Sequence, residues 1–262
     1  MIIKGSKSSI FITGKSNSKI PFLFVHGFTG SSSTWASIKR KITDDHYCLD
    51  IPGHGKSTFH NLDENYGFSD WCAELYMVLS QTNIKKVNLC GYSMGGRLCL
   101  EFAYAFPDMI NALYLESTSL GIQDLEERKL RLESDNVLVE KIKDDFLSFN
   151  RDWSQLDLFA KQEERNNKEF LIQEDIRKHQ DKEQLAKSLY SFSLGKMKYY
   201  GDKLKDFHFP VTLISGEEDL KFLKIGHRAM RKNKNIKHYI IRNSGHNTHL
   251  ENPESFIEIL KI

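Results

Sequence analysis

The sequence predicts an α/β protein: a mostly parallel central sheet with helices on both faces, interrupted by an inserted helical lid. Three observations predict it. Short apolar runs alternate with longer helix-like stretches, the pattern of a parallel sheet covered on both sides. The alternation stops after residue 119 in a long charged segment, and it resumes at Pro210. The strand runs are IPFLFV (20–25), HYCLDI (46–51), KVNLC (86–90), ALYLE (112–116), PVTLIS (210–215) and KHYIIR (237–242), with an amino-terminal hairpin from MIIK and SSIFIT ahead of them. Residues 67–83 put Phe68, Trp71, Leu75, Val78 and Leu79 on one helical face. Residues 93–106 are apolar nearly all round, as in a buried helix, and Pro107 closes the run. Residues 120–208 carry almost no glycine and no proline and show helical spacing. A structureless connection of that length is rare inside a compact domain. The expected organisation is one core, residues 1–119 and 209–262, with a helical lid at 120–208.

Composition narrows the function. With 37 basic and 35 acidic residues the formal charge is +2, which gives no reason to expect nucleic acid or an anionic membrane as partner. No apolar run approaches the roughly 18 to 20 residues of a membrane span. The opening MIIKGSKSSIFITGK lacks the apolar core and cleavage site of a signal peptide. Cys48, Cys72, Cys90 and Cys99 contain no C-x-x-C pair and read as reduced, packed thiols. The expectation is a cytoplasmic protein, monomer or homodimer, without membrane insertion. No cluster of ligands or phosphate loop implies a metal or organic cofactor.

The strongest local signal is Gly91-Tyr92-Ser93-Met94-Gly95, a G-x-S-x-G sequence that follows a strand and opens a helix. That context turns a common pentapeptide into a nucleophile elbow of the α/β-hydrolase fold. A serine hydroxyl needs an imidazole to take its proton, and the partners follow in the order serine, acid, histidine. His246, in Asn243-Ser244-Gly245-His246 after the last strand, is the histidine so placed; His249 reads as structural. After PVTLIS comes Gly216-Glu217-Glu218-Asp219, and the G-x-x-D spacing selects Asp219 over Glu218. His26-Gly27-Phe28-Thr29-Gly30 follows the strand at 20–25, so the backbone N–H groups of Phe28 and Met94 are the expected oxyanion hole. The D-x-x-G-x-G-x-S turn from Asp50 to Ser57 reads as structural, His54 included. Arg97 lies four residues past Ser93, on the same side of the helix. Such a guanidinium needs a carboxylate, either internal or on the substrate.

GYSMGGR, HGFTGS, DIPGHGKS and the tail GHNTHLENP together resemble the 2-succinyl-6-hydroxy-2,4-cyclohexadiene-1-carboxylate synthases of menaquinone biosynthesis, along the whole chain. The resemblance implies a lyase that eliminates pyruvate from a small polycarboxylate, with the triad acting as general base. It also implies substrate contacts from Tyr92, Arg97, Arg131, Trp153 and Arg177, the arginines serving as carboxylate clamps. Arg131 lies in a segment like the family's E-x-R-x-x-R-x-x-S-D, and Trp153 in its aromatic patch. The chain departs from the family at Ser119-Leu120-Gly121, where a proline is common, and at Ser154, where an aromatic residue is common. The rival reading is a serine hydrolase that uses Ser93 as covalent nucleophile on an ester, thioester or carbon–carbon bond. A third is a binding protein on an inactive hydrolase scaffold.

Overall fold

A computed structural model describes residues 1–42, 45–233 and 236–260. Among these residues one sheet contains β1 (Ile2–Lys4), β2 (Ser8–Lys15), β3 (Phe22–Val25), β4 (His46–Leu49), β5 (Thr58–Phe59), β6 (Val87–Tyr92), β7 (Ile110–Glu116), β8 (Val211–Gly216) and β9 (Ile236–Ile241). The order is β1-β2-β4-β3-β6-β7-β8-β9, with β5 on β2. From β4 across to β9 every neighbouring pair is parallel. Only the β1, β2 and β5 end is antiparallel. The short β5 has no legible pattern in the sequence.

The helices are α1 (Ala36–Lys39), α2 (Phe68–Gln81), α3 (Met94–Ala105), α4 (Leu125–Asp144), α5 (Phe146–Ser154), α6 (Gln162–Arg165), α7 (Asn167–Lys178), α8 (Lys182–Ser191), α9 (Leu220–Lys232), α10 (Thr248–Glu251) and α11 (Pro253–Leu260). Successive strand residues face opposite ways, and both faces are covered. Leu23 and Val25 of β3 join the large core with Leu89, Leu113 and Leu213. Phe24, between them, joins a second core with Trp35, Cys90, Ile214 and Phe256. The apolar face read in α2 is buried at Trp71, Leu75, Val78 and Leu79, and α3 is buried over nearly its whole length. All four cysteines are buried free thiols.

Between β7 and β8 the chain inserts α4 to α8. Their charge has a local cause. Asp124, Asp145, Asn166 and Asp181 each accept a backbone N–H in the first turn of the helix that follows. Such caps replace tertiary burial as the force that starts a surface helix. α4 buries only Asp135, Val139 and Ile142, one narrow stripe, and leans on α8. Among the described residues no helix is long and apolar enough to cross a membrane.

The strand order places the chemistry. β3 and β6 are neighbours, but the chain leaves β3 toward β4 on one side and β6 toward β7 on the other. At such a reversal the connecting loops part and open a crevice at the carboxyl ends of the strands. Val25 pairs with Gly91 in register, so the loops carrying Phe28 and Ser93 emerge side by side.

Candidate active site

Ser93 stands between β6 and α3 at φ 52°, ψ −107°, a conformation that L residues avoid. Its backbone is over-determined: Ser93 N–H donates to the Glu116 carbonyl at 2.9 Å, and Arg97 N–H donates to the Ser93 carbonyl at 3.1 Å. Glycine at 95 is forced, because a Cβ there would run into the carbonyl oxygens of Val25 and His26 at the end of the adjoining strand β3.

His246 Nε2 lies 3.1 Å from Ser93 Oγ, and His246 Nδ1 lies 2.6 Å from Asp219 Oδ2. A carboxylate can only accept, so Nδ1 carries the hydrogen and Nε2 presents its lone pair to the serine hydroxyl. Asp219 is also the N-cap of α9, accepting from Phe222 N–H at 3.4 Å. His246 and Asp219 are both almost fully buried, which keeps competing water from the pair. Glu218, the alternative acid, points elsewhere and pairs with Lys161 and Arg165.

The loop after β3 is shaped by two buried imidazoles. His26 accepts from Ile51 N–H at Nε2 (3.0 Å) and places Nδ1 2.7 Å from the Gly27 carbonyl. His54 Nε2 accepts from Thr29 N–H at 3.2 Å. Asp50 accepts from Ser32 and Lys56 N–H and so ties the turn that carries His54, consistent with the structural reading of D-x-x-G-x-G-x-S. Burial lowers the pKa of both imidazoles, with His26 acting further on His54. Both start from 6.5 in the unfolded chain. Folded pKa values below the unfolded ones mean that the unfolded state binds more protons as pH falls below about 6.5, so stability falls with pH there. The expected result is a melting temperature that drops on acidification below pH 6.5. The drop should be smaller in His54→Gln, which keeps an acceptor and cannot titrate; calorimetry against pH measures both.

Around Ser93 lies a cavity of about 320 Å³ lined by Phe28, Tyr92, Met94, Arg97, Arg131, Trp153 and His246. The insertion adds Leu138, Leu158, Phe159, Leu189 and Leu194. Phe28 packs edge-on against Trp153, ring centroids 5.3 Å apart, and Tyr92 lies 5.4 Å from the His246 ring. Arg97 is 7% exposed and donates from Nη1 to the Phe192 carbonyl at 2.7 Å. Among the described residues no carboxylate pairs with it. Burial first and the Arg131 charge second pull its pKa down to about 9, Asp135 opposing, so it is still a cation at neutral pH. Arg131 faces the cavity and is held by Asp135 at 2.8 Å; Asp135 in turn accepts from Ser193 at 2.7 Å.

Arg177 differs from its expected place. It does not line the cavity: its side chain is 5% exposed and pairs with Glu174, three residues earlier on α7, and its guanidinium lies 4.9 Å from the Phe159 ring centre. The i, i+3 partner and the aromatic face satisfy it behind a wall residue.

Three features were not read from the sequence. Lys221, on the first turn of α9, lines the same cavity. Fully buried Glu116 accepts from Thr248 Oγ1 (2.6 Å) and His249 N–H (2.9 Å) and pairs with His249 Nδ1 (2.6 Å). His249 is thus structural, stacked on Trp35 at 4.0 Å, and it fixes the loop that carries His246. Arg165 of α6 pairs with Glu218 and with Glu251, which also accepts from Gly245 and Asn247 N–H. The insertion is thereby clasped to both loops that present the acid and the histidine. A lysine two residues past the acid was the one local signal available; the other two join residues far apart in sequence.

Serine, imidazole and carboxylate in series at the carboxyl ends of a parallel sheet are the arrangement of the α/β-hydrolase class, and the family model for the alpha/beta hydrolase fold matches residues 20–253. A putative 2-succinyl-6-hydroxy-2,4-cyclohexadiene-1-carboxylate synthase from Bacillus subtilis is 31% identical over 90% of this chain and 87% of its own. The synthase of that name from Citrobacter koseri is 32% identical over 91% of each chain. The structure of MenH from S. aureus superposes with a TM-score of 0.87 at 28% identity, covering 98% of this chain and 97% of the other. The chain belongs to the 2-succinyl-6-hydroxy-2,4-cyclohexadiene-1-carboxylate synthase family of α/β-hydrolase-fold proteins.

Proposed function

We propose that this protein is a lyase of menaquinone biosynthesis. It eliminates pyruvate from 2-succinyl-5-enolpyruvyl-6-hydroxy-3-cyclohexene-1-carboxylate and leaves the 2,4-diene. The observation that carries this reading is Arg97: a buried guanidinium without a carboxylate partner among the described residues, in the same cavity as Ser93. An enzyme for neutral esters has no use for so costly a charge. A substrate bearing several carboxylates neutralises it.

The bond changes follow from the two ring names. The hydrogen at ring carbon 2 is acidified by the adjoining succinyl ketone. His246 takes the Ser93 proton through Nε2, and Ser93 Oγ removes the carbon-2 proton. The C–H electron pair moves into the ketone as an enolate, which the N–H groups of Phe28 and Met94 hold as an oxyanion hole. When the enolate collapses, carbon 2 bonds doubly to carbon 3, the old 3,4 double bond shifts to 4,5, and the bond from carbon 5 to the enolpyruvyl oxygen breaks. Enolpyruvate leaves and takes the proton held on His246 to become pyruvate, while the carbon-2 proton stays on Ser93 as its hydroxyl hydrogen, so the triad is restored. Asp219 holds the imidazole in the required tautomer and stabilises its charged form. Base catalysis of this kind contributes about 10²–10⁴-fold, and each oxyanion donor about 10²–10³-fold.

In this reading residues 120–208 are the lid that excludes water from the enolate, and Tyr92, Trp153 and Arg131 contact the substrate, with Arg177 behind Phe159 as support for that wall. The four buried thiols favour a cytoplasmic location. The test is to generate the unstable substrate in situ and follow pyruvate and diene absorbance together. One pyruvate should appear per diene, at a rate proportional to enzyme. Substrate consumed without diene would defeat the proposal.

A further inference from the structure

The catalytic cavity abuts a second one of about 1100 Å³, and Ser119, Arg131, Leu194 and Lys221 line both. We propose that Lys221, together with Arg131, forms a carboxylate-binding subsite at this junction, taking a substrate carboxylate that Arg97 does not hold. The proposal rests on the polycarboxylate reading of the same cavity.

Three observations converge on Lys221. It sits in the first turn of α9, which is capped by Asp219 and has no acidic residue in that turn. The positive end of a helix is the wrong place for an ammonium unless an anion comes there. Next, its surroundings oppose its charge: partial burial first, then Arg131, with Arg97 also contributing, lower its pKa against the pull of Asp219. Among the described residues no carboxylate lies within ion-pair distance of Lys221, and Asp219 is committed to His246. Finally, Asp135 is held by Arg131 and Ser193. Arg97, Arg131 and Lys221 therefore share the region with two internal carboxylates, Asp135 and Asp219, each already engaged by another partner. An anion at the junction relieves that imbalance.

Position and direction are also fixed. Phe222, the next residue, lies 4.9 Å ring to ring from His246. Lys221 thus approaches from the histidine side of Ser93 on α9, while Arg97 approaches from α3. Toward the outer cavity Asp124, Glu126 and Glu127 outnumber Arg228, the further cation that lines it, so a polyanion is less favoured there. The favourable place for the carboxylate is the inner boundary, at Arg131 and Lys221.

The test is steady-state pyruvate release by wild type, Lys221→Gln and Lys221→Arg, with melting temperatures taken alongside. Lys221 is solvent-accessible, so the variants should melt near the wild type. Lys221→Gln should raise KM about tenfold, in line with losing one hydrogen bond to a charged group, while kcat stays within about threefold. Lys221→Arg should recover most of the KM. An unchanged KM in Lys221→Gln overturns the proposal. So does a fall in kcat at constant KM, which would place Lys221 at the triad instead of at a substrate carboxylate. Absence of pyruvate release by the wild type is a different failure, that of the functional reading itself.

Discussion

Ser93→Ala should lower kcat for pyruvate release by about 10³–10⁴-fold, the upper range for losing a positioned base, while the protein still folds. Among the described residues the side chain removed makes one hydrogen bond, to His246. The backbone of the elbow is held by Glu116 and Arg97 whatever the side chain. The strain at φ 52° remains in the alanine variant and is relieved in Ser93→Gly, which should be more stable than Ser93→Ala by about 1 kcal/mol. Substrate binding should survive in both, because the cations that hold carboxylates are untouched. Stopped-flow pyruvate detection and thermal melts check the two halves. A serine variant with near-wild-type turnover would remove Ser93 from the chemistry.

The second large effect is at Arg97. Arg97→Met keeps a long side chain of similar reach and removes the charge. With the tricarboxylate substrate kcat/KM should fall about 10²–10³-fold, the size expected when one member of a desolvated charge pair is deleted. Stability should hold or rise. Arg97 is buried beside the Arg131 charge, and replacing an unpaired buried cation by an apolar chain removes a desolvation cost. Opposite signs for activity and stability are the mark of a residue kept for its ligand. If Arg97→Met instead unfolds the protein, the bond to the Phe192 carbonyl is its main task and the clamp reading fails.

These two sites were legible in the sequence because each lies on a pattern with a local cause. The elbow joins a strand and a helix, and its glycines answer close contacts set by the adjoining strand, the helix and Thr118. The side of the helix on which Arg97 lies follows from helical spacing, and its clamp role from the family resemblance. Asp219 and His246 follow their strands at the expected loops. Arg177 lies behind the wall residue Phe159 and not in the cavity lining, because its rank in a motif says nothing about Glu174, which lies one turn away and pairs with it. The clasp from Arg165 to Glu251 spans 86 residues, and nothing local marks it. The Glu116–His249 pair spans 133 residues: the tail histidine was seen as structural, yet its partner at the end of β7 was not seen. Lys221 was hidden among ordinary charges until the cavity showed which of them face it. The helical insertion was legible as helices from its spacing and its lack of glycine and proline, but which of its faces meet the core depends on tertiary packing.

The central claim is that Ser93 removes a proton and forms no bond to the substrate. Wild-type protein quenched during steady-state turnover and weighed intact by mass spectrometry tests it directly. The account predicts the mass of the unmodified chain at every time point, with pyruvate accumulating throughout. A transient adduct that maps to Ser93 and decays as product forms would contradict it.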